Sequence, residues 1–298
     1  MKKLSKLERA KRTTPFLIGA TIFIALYSLT LILPLIWAVF SSLKVSIDFQ
    51  NTVFAWPKYG FHLENWYNAF FEIELNVMTA KGPRDVYLLE MFGYSIIYSV
   101  GTAFIACFSR SACAYVVAKY RHLGWTKLVH TLVIILMIIS FPSNLAITIK
   151  FYKLIGLYNN FIGCIIMSFG FNGSHFLYFY AAYCGVSSEY AEAAEIDGAN
   201  QLTIMLRIMM PMVKNIFMGL FILNFIAVWN DYSPSLVFLP SYPMVAYGLY
   251  AYQFKTQGAN SVPLKLAGCT LVILPTLALF VIFKDKIVSN LSIGGLKG

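Results

Sequence analysis

Apolar residues run in long stretches, and the polar positions between them are short and clustered. A bilayer-crossing helix needs about 20 mostly apolar residues. Six stretches meet that ruler: Phe16–Phe40, Met91–Val117, Leu128–Ile149, Phe161–Gly185, Ile216–Leu239 and Leu266–Phe283. The pattern predicts an all-α polytopic membrane protein with six transmembrane helices. Pro34, Pro142, Pro234 and Pro275 fall inside the stretches, which is tolerated where neighbouring helices or a lined cavity satisfy the freed backbone groups. The first stretch is too long for a signal-peptide core and no small-residue cleavage site follows it, so it reads as a retained span. Composition agrees. Of 298 residues 59% are hydrophobic and only 12% charged, whereas soluble domains are about 25% charged. That excludes an ordinary soluble enzyme, a disordered chain and a disulfide-built secreted protein.

The net charge of +10 would suggest nucleic acid on a soluble chain, but here the cations sit in blocks between apolar stretches. They report topology instead, and no nucleic-acid partner is expected. Residues 1–15 carry six Lys/Arg against the single acid Glu8. The positive-inside rule makes that end cytoplasmic. Counting onward, the inner segments hold 14 Lys/Arg and the outer ones 8, with Arg110 inside a span. Both termini are then cytoplasmic, 41–90 is an external loop and 186–214 a cytoplasmic one. The external loop carries Phe54, Trp56, Tyr59, Phe61, Trp66 and Tyr67, which reads either as an interfacial aromatic belt or as a docking surface for an outside partner. No internal repeat or linker is visible, so residues 1–298 are treated as one domain.

The cytoplasmic loop is the informative one. Ser187 and Ser188 suit an N-cap, and Glu189 and Glu192 favour the positive end of a helix dipole. The alanine-rich 190–196 segment is strongly helix-forming. Gly198 suits a left-handed C-terminal position. Asn200 can cap a second helix, on which Leu202, Met205, Leu206 and Met209 follow helical spacing. Pro211 ends or bends that helix before the fifth span. Ala191, Ala193, Ala194 and Ala199 would let a partner approach closely, and the acids beside them could pair with its Lys or Arg. A helix lying on lipid would carry a Lys/Arg-rich polar face, whereas this one is acidic, so protein docking is favoured.

These residues also carry a resemblance. Glu192-Ala193-Ala194, Gly198 and then Ile208 and Pro211 resemble the EAA signature of ABC importer permease subunits, with Asp197-Gly198-Ala199 in its common form and Met210 where Leu is usual. Trp229-Asn230-Asp231-Tyr232 followed by Pro234 resembles a stretch of the carbohydrate-uptake class. The tail Leu291–Gly298 is similar to the ending of maltose-type G subunits, and Leu157–Asn160 sits where that class has a related turn. The outer loop around Glu72–Leu89 is longer than in typical members.

The resemblance implies a type I ABC importer permease with a cytoplasmic coupling helix in the bacterial inner membrane. Its implied partners are a second homologous permease, two ATPase subunits, an extracellular or periplasmic solute-binding protein, membrane lipid and a sugar or oligosaccharide. Glu192 is implied as a polar contact to the ATPase, Gly198 as the turn, Ala193 and Ala194 as a close-packed face, and Gly294, Gly295, Lys297 and Gly298 as a C-terminal docking element. On this reading Gly198→Asp or deletion of 192–198 uncouples transport. Permeases for peptides, amino acids or phosphorylated polyols share the loop and remain the alternative within transport. An autonomous secondary transporter or channel and a membrane enzyme are the rivals from other classes.

The chain has no G-x-x-x-x-G-K-[ST] loop, so ATP and Mg would be bound by partner subunits and no cofactor by this one. Cys107, Cys113, Cys164, Cys184 and Cys269 fall within spans without a C-x-x-C and read as packing. His62, His122, His130 and His175 lack metal-ligand spacing, and no nucleophile–base constellation is present, so neither a metal nor a catalytic site is expected. Ionisable groups inside a membrane usually face the bundle interior or water. Asp231, with Asn230 and Tyr232, is the clearest case; Asn144 and Asn224 are further candidates for a translocation path. Asn230 and Asp231 can equally cap a broken helix before Pro234. Arg110 is expected to snorkel to the cytoplasmic edge.

Overall fold

The computed structural model describes residues 6–79, 81–139, 145–171, 173–255 and 262–291, with side chains over 15–79, 81–139, 145–171, 173–254 and 262–283. It resolves into two compact units, one of residues 1–70 and 256–271, the other of 71–255 and 272–298.

In the first unit, α1 (Lys6–Ser42) is apolar all round from Pro15 onward, and none of its most apolar stretch is buried within the chain. A helix hydrophobic on every face belongs in lipid or against another subunit. After α2 (Ser46–Asn51) the chain folds back on the end of α1. Lys44 Nζ is buried and donates to Thr52 O at 2.6 Å. Asp48 accepts from Thr52 Oγ1 at 3.1 Å and Lys58 N at 2.8 Å. Trp37, Phe54, Phe40 and Trp56 line a shallow apolar groove there, with Phe40 and Trp56 only 4.4 Å apart between ring centroids. The segment is thus an ordered cap, with exposed rings at the end of a lipid-type helix.

Helix α3 (Glu64–Glu72) leads into the second unit and an antiparallel hairpin of β1 (Glu74–Thr79) and β2 (Gly82–Tyr87). The unit is built on α4 (Leu88–Lys119), against which α8 (Ser174–Cys184) and α11 (Lys214–Trp229) pack. Between α4 and α8 lie α5 (Gly124–Ile138), α6 (Leu145–Leu154) and α7 (Phe161–Ile166). Gly101 of α4 lets α7 approach closely, since a Cβ there would sit 2.9 Å from Ile165 Cγ2. The loop helices are α9 (Glu189–Ile196) and α10 (Gln201–Met212). Then come α12 (Ser233–Val237), α13 (Val245–Lys255) and α14 (Val262–Leu291). Trp229 is 1% exposed, donates to Val272 O at 3.1 Å and stacks on Phe225.

Three described helices are long and apolar enough to cross a membrane, or four if the bent pair α10–α11 is one span. The first, second and sixth predicted stretches are the continuous helices α1, α4 and α14. The fourth and fifth are broken. Of the third, α5 ends at Ile138 with an extended Ile139 and α6 begins at Leu145; residues 140–144 lie outside the described residues. The fourth stops being helical after Ile166 and resumes at Ser174. There Gly173 adopts φ +98, and Ser109 Oγ both donates to Gly170 O at 2.9 Å and accepts from Gly170 N at 3.2 Å. Hydropathy alone does not see such breaks, because glycine interrupts a helix without lowering apolarity and a neighbour's hydroxyl satisfies the freed backbone. Arg110 Nη1 donates to Ala106 O at 2.9 Å, one turn back along α4, and its Nε lies beside Gly173.

Candidate functional site

The loop after α8 forms a helix, a turn and a second helix. Ser187 Oγ accepts from Glu189 N at 3.3 Å, while Ser188 makes no side-chain cap bond, so the capping falls to the earlier serine. Helix α9 ends in a Schellman motif: Gly198 N donates to Glu195 O at 3.0 Å and Ala199 N to Ala194 O at 2.9 Å. Gly198 has φ +81, a conformation glycine reaches without penalty. Asn200 then caps α10, its Oδ1 accepting from Thr203 N at 2.8 Å. Within α10, residues Ile204–Met209 form a π-helical turn. Pro211 offers no N–H to the Arg207 carbonyl, and its ring would crowd that carbonyl in a regular α-turn; the wider turn ends just before it. Helix α10 meets α11 at 78°, so it runs across the line of the span.

Burial divides the expected docking residues. Ala191 and Ala194 join Ile204 and Met209 in the core formed with Tyr115, Phe179 and Tyr183. Ala194 therefore packs inside its own chain, and only Ala193 of the Ala193–Ala194 pair lies on the outer face. Ala199 is half-buried, while Glu192, Asp197, Gly198 and Pro211 are exposed. Two residues that sequence reasoning passed over stand on the same outer face: Tyr190, 53% exposed, and Ile196, 87% exposed. Tyr190, Ala193 and Ile196 recur every three residues, a helical stripe that was legible in the spacing. The face is thus apolar, edged by Glu189, Glu192 and Asp197. Beside it a cleft of about 800 Å³ opens between the end of α4, with Lys119, Arg121 and His122, and the loop acids Glu192 and Glu195. Hydrogen bonds from Lys119 and Gln201 hold the Glu195 carboxyl below the usual carboxylate range.

The second set of candidates lies at the other end of α11. Asn230 Nδ2 donates to Ile226 O at 2.8 Å and Asp231 Oδ1 accepts from Ser233 N at 2.9 Å. Asn230 is thus the C-cap of α11, while Asp231 bonds across the break to the first residue of α12, whose N-cap is Tyr232. Asn230, Asp231 and Tyr232 are also exposed, while Asn224 is half-buried one heptad earlier on α11. Tyr232 stacks on Tyr250 of α13 with centroids 4.7 Å apart and planes at 16°, and Tyr250 meets Phe254 edge-on at 5.3 Å. Tyr250 and Phe254, one helical turn apart, extend the polar cluster into an aromatic ladder that sequence reasoning missed. Asn144, Gly294, Gly295, Lys297 and Gly298 lie outside the described residues. Among the described residues no group of three or more His, Cys, Asp or Glu is arranged for a metal.

A helical bundle with long exposed apolar faces, bent and broken spans and an amphipathic loop between α8 and α11 is the architecture of a multi-pass transport subunit. Residues 111–292 match the family described as binding-protein-dependent transport system inner membrane component, and the chain belongs to that family. It is 23% identical to the arabinooligosaccharides transport system permease protein AraQ of Bacillus subtilis (strain 168), over 98% of this chain and 100% of that one. It is 24% identical to the diacetylchitobiose uptake system permease protein NgcG of Streptomyces coelicolor, over 90% and 85%. Among solved structures, a chain of a bacterial ABC transporter for import of the acidic polysaccharide alginate superposes with TM-score 0.74 at 18% identity, covering 96% of this chain and 99% of that one.

Proposed function

We propose that this chain is one of two permease subunits of an ATP-driven, binding-protein-dependent importer, forming half of the path for a sugar or oligosaccharide. The observation that carries the reading is the α9 face: an exposed apolar stripe of Tyr190, Ala193 and Ile196 edged by carboxylates, presented at a fixed angle by the Schellman turn. Such a face is built to be covered by protein, and the partner that supplies the energy is an ATPase subunit binding ATP and Mg, one on each permease. In this reading the stretches α5–α6, α7–α8 and α11–α12 each count as one crossing. That gives six, with both termini cytoplasmic, α9 as the coupling helix and residues 294–298 adding to the docking. Relatives named for oligosaccharides support the substrate class, as does the ladder of Tyr232, Tyr250 and Phe254 beside Asn230 and Asp231. Sugars are held by stacking on their apolar faces and by hydrogen bonds to their hydroxyls. A solute-binding protein would deliver the substrate from outside.

The test is affinity purification of the full chain from its native membrane. Wild type should bring down a second permease and an ATPase subunit, and Ile196→Asp should lose the ATPase while keeping the second permease. A chain that isolates alone and transports solute in proteoliposomes without an ATPase would overturn the assignment.

A further inference from the structure

One polar knot ties the loop to the body of the chain. Lys119, the last residue of α4, donates from Nζ to Glu195 Oε1 at 2.6 Å and to Gln201 Oε1 at 2.8 Å. Gln201 Nε2 donates to the same Glu195 oxygen at 2.8 Å, and Tyr120 OH reaches Gln201 Oε1 at 3.2 Å. The Lys119 ammonium also stands 6.0 Å from the Tyr115 ring centroid and 5.7 Å from that of Tyr120. Glu195 sits in the last turn of α9 and Gln201 opens α10, on either side of the Gly198 turn. A single ammonium therefore holds both arms of the turn from the end of α4.

Stability does not explain this arrangement, because a partly exposed ion pair contributes little. Geometry does. The apolar contacts under α9 resist separation but permit sliding and rotation, whereas the closed triangle of hydrogen bonds Lys119–Glu195, Lys119–Gln201 and Gln201–Glu195 holds the three side chains, and so the ends of α4, α9 and α10, at fixed mutual distances. Helix α4 is also the element on which α8 and α11 pack, so a motion passed to α4 reaches the spans on both sides of the loop.

We propose that Lys119, with Glu195 and Gln201, is a positioning clamp that makes the α9–α10 pair move as one body with α4. Displacement of the loop by a bound ATPase then tilts α4 instead of being absorbed by rotation of the loop. The inference rests on the coupling role proposed above and adds the route by which motion leaves the loop.

The test uses the whole complex in proteoliposomes with its binding protein, carrying Lys119→Met, Glu195→Gln, or the exchange Lys119→Glu with Glu195→Lys. The measured quantities are ATPase co-purification and ATP hydrolysed per substrate imported. The single variants should retain the ATPase and hydrolyse ATP, yet consume roughly two- to thirtyfold more ATP per substrate. The exchange should recover most of the ratio, since Gln201 presents a donor or an acceptor by turning its amide. Single variants with the wild-type ratio, or an exchange no better than either single, would overturn the clamp alone. A wild-type chain that binds no ATPase would overturn the coupling role and the clamp with it.

Discussion

Gly198 gives the most direct measure of how far the docking face depends on its turn. A side chain added there meets no atom within 4 Å, while the backbone stands at φ +81. The effect of substitution is therefore conformational and not steric crowding. Holding an ordinary L-residue in the left-handed region costs about 1–2 kcal/mol, more for a β-branched side chain and less for Asn, which visits the region readily. The two hydrogen bonds of the turn, from Gly198 N and Ala199 N, are made only in that geometry. At about 1.4 kcal/mol per tenfold change, that ordinary cost corresponds to a roughly five- to thirtyfold rise in the open population of the turn, and Gly198→Val should reach at least the upper end of that range. Gly198→Asn should stay near wild type. Asp also tolerates the left-handed region, so Gly198→Asp tests added charge on a surface that already holds Glu192, Glu195 and Asp197, and is the weaker probe of the turn. The assay is amide hydrogen exchange over residues 194–199 in the purified complex, read beside ATPase co-purification. Unchanged exchange in Gly198→Val, or an Asn variant as impaired as the Val variant, would refute the argument that φ governs this site.

Further outcomes are expected elsewhere. Trp229→Ala removes a side chain 1% exposed together with its bond to Val272 O and should destabilise the chain by about 3–5 kcal/mol; an unshifted unfolding midpoint in detergent would contradict its place in the core. Tyr250→Ala should raise the KM for import by about two- to tenfold through loss of the stack with Tyr232, whereas Tyr250→Phe stays near wild type; equal effects of the two would assign the role to the hydroxyl. The Glu195 carboxyl, held low by Lys119 and Gln201, contributes above its unfolded value of about 4.3 and loses that contribution only as pH falls through the depressed one. Import per ATP should therefore be flat from about pH 8 to 5, and a transition near neutrality would point to a histidine instead.

The features legible along the chain were those that depend on near neighbours in sequence. The continuous helices α1, α4 and α14 follow from uninterrupted apolar runs. The Gly198 turn and the Asn200 cap follow from backbone preferences acting over three or four residues. Tertiary structure decided what depends on residues far apart. Only packing against α4 and α8 shows that Ala191 and Ala194 face inward while Tyr190 and Ile196 are left outside. Only the approach of α13 places Tyr250 on Tyr232, and only the fold brings Lys119 to Glu195 and Gln201 across a gap of 76 and 82 positions. The broken fourth stretch belongs with these: its backbone is freed locally at Gly170 and Gly173, but it is stable in that form because Ser109, sixty-one residues earlier, bonds to Gly170. Local sequence sets which conformations are accessible, and the partners that satisfy or cover the exposed groups select among them.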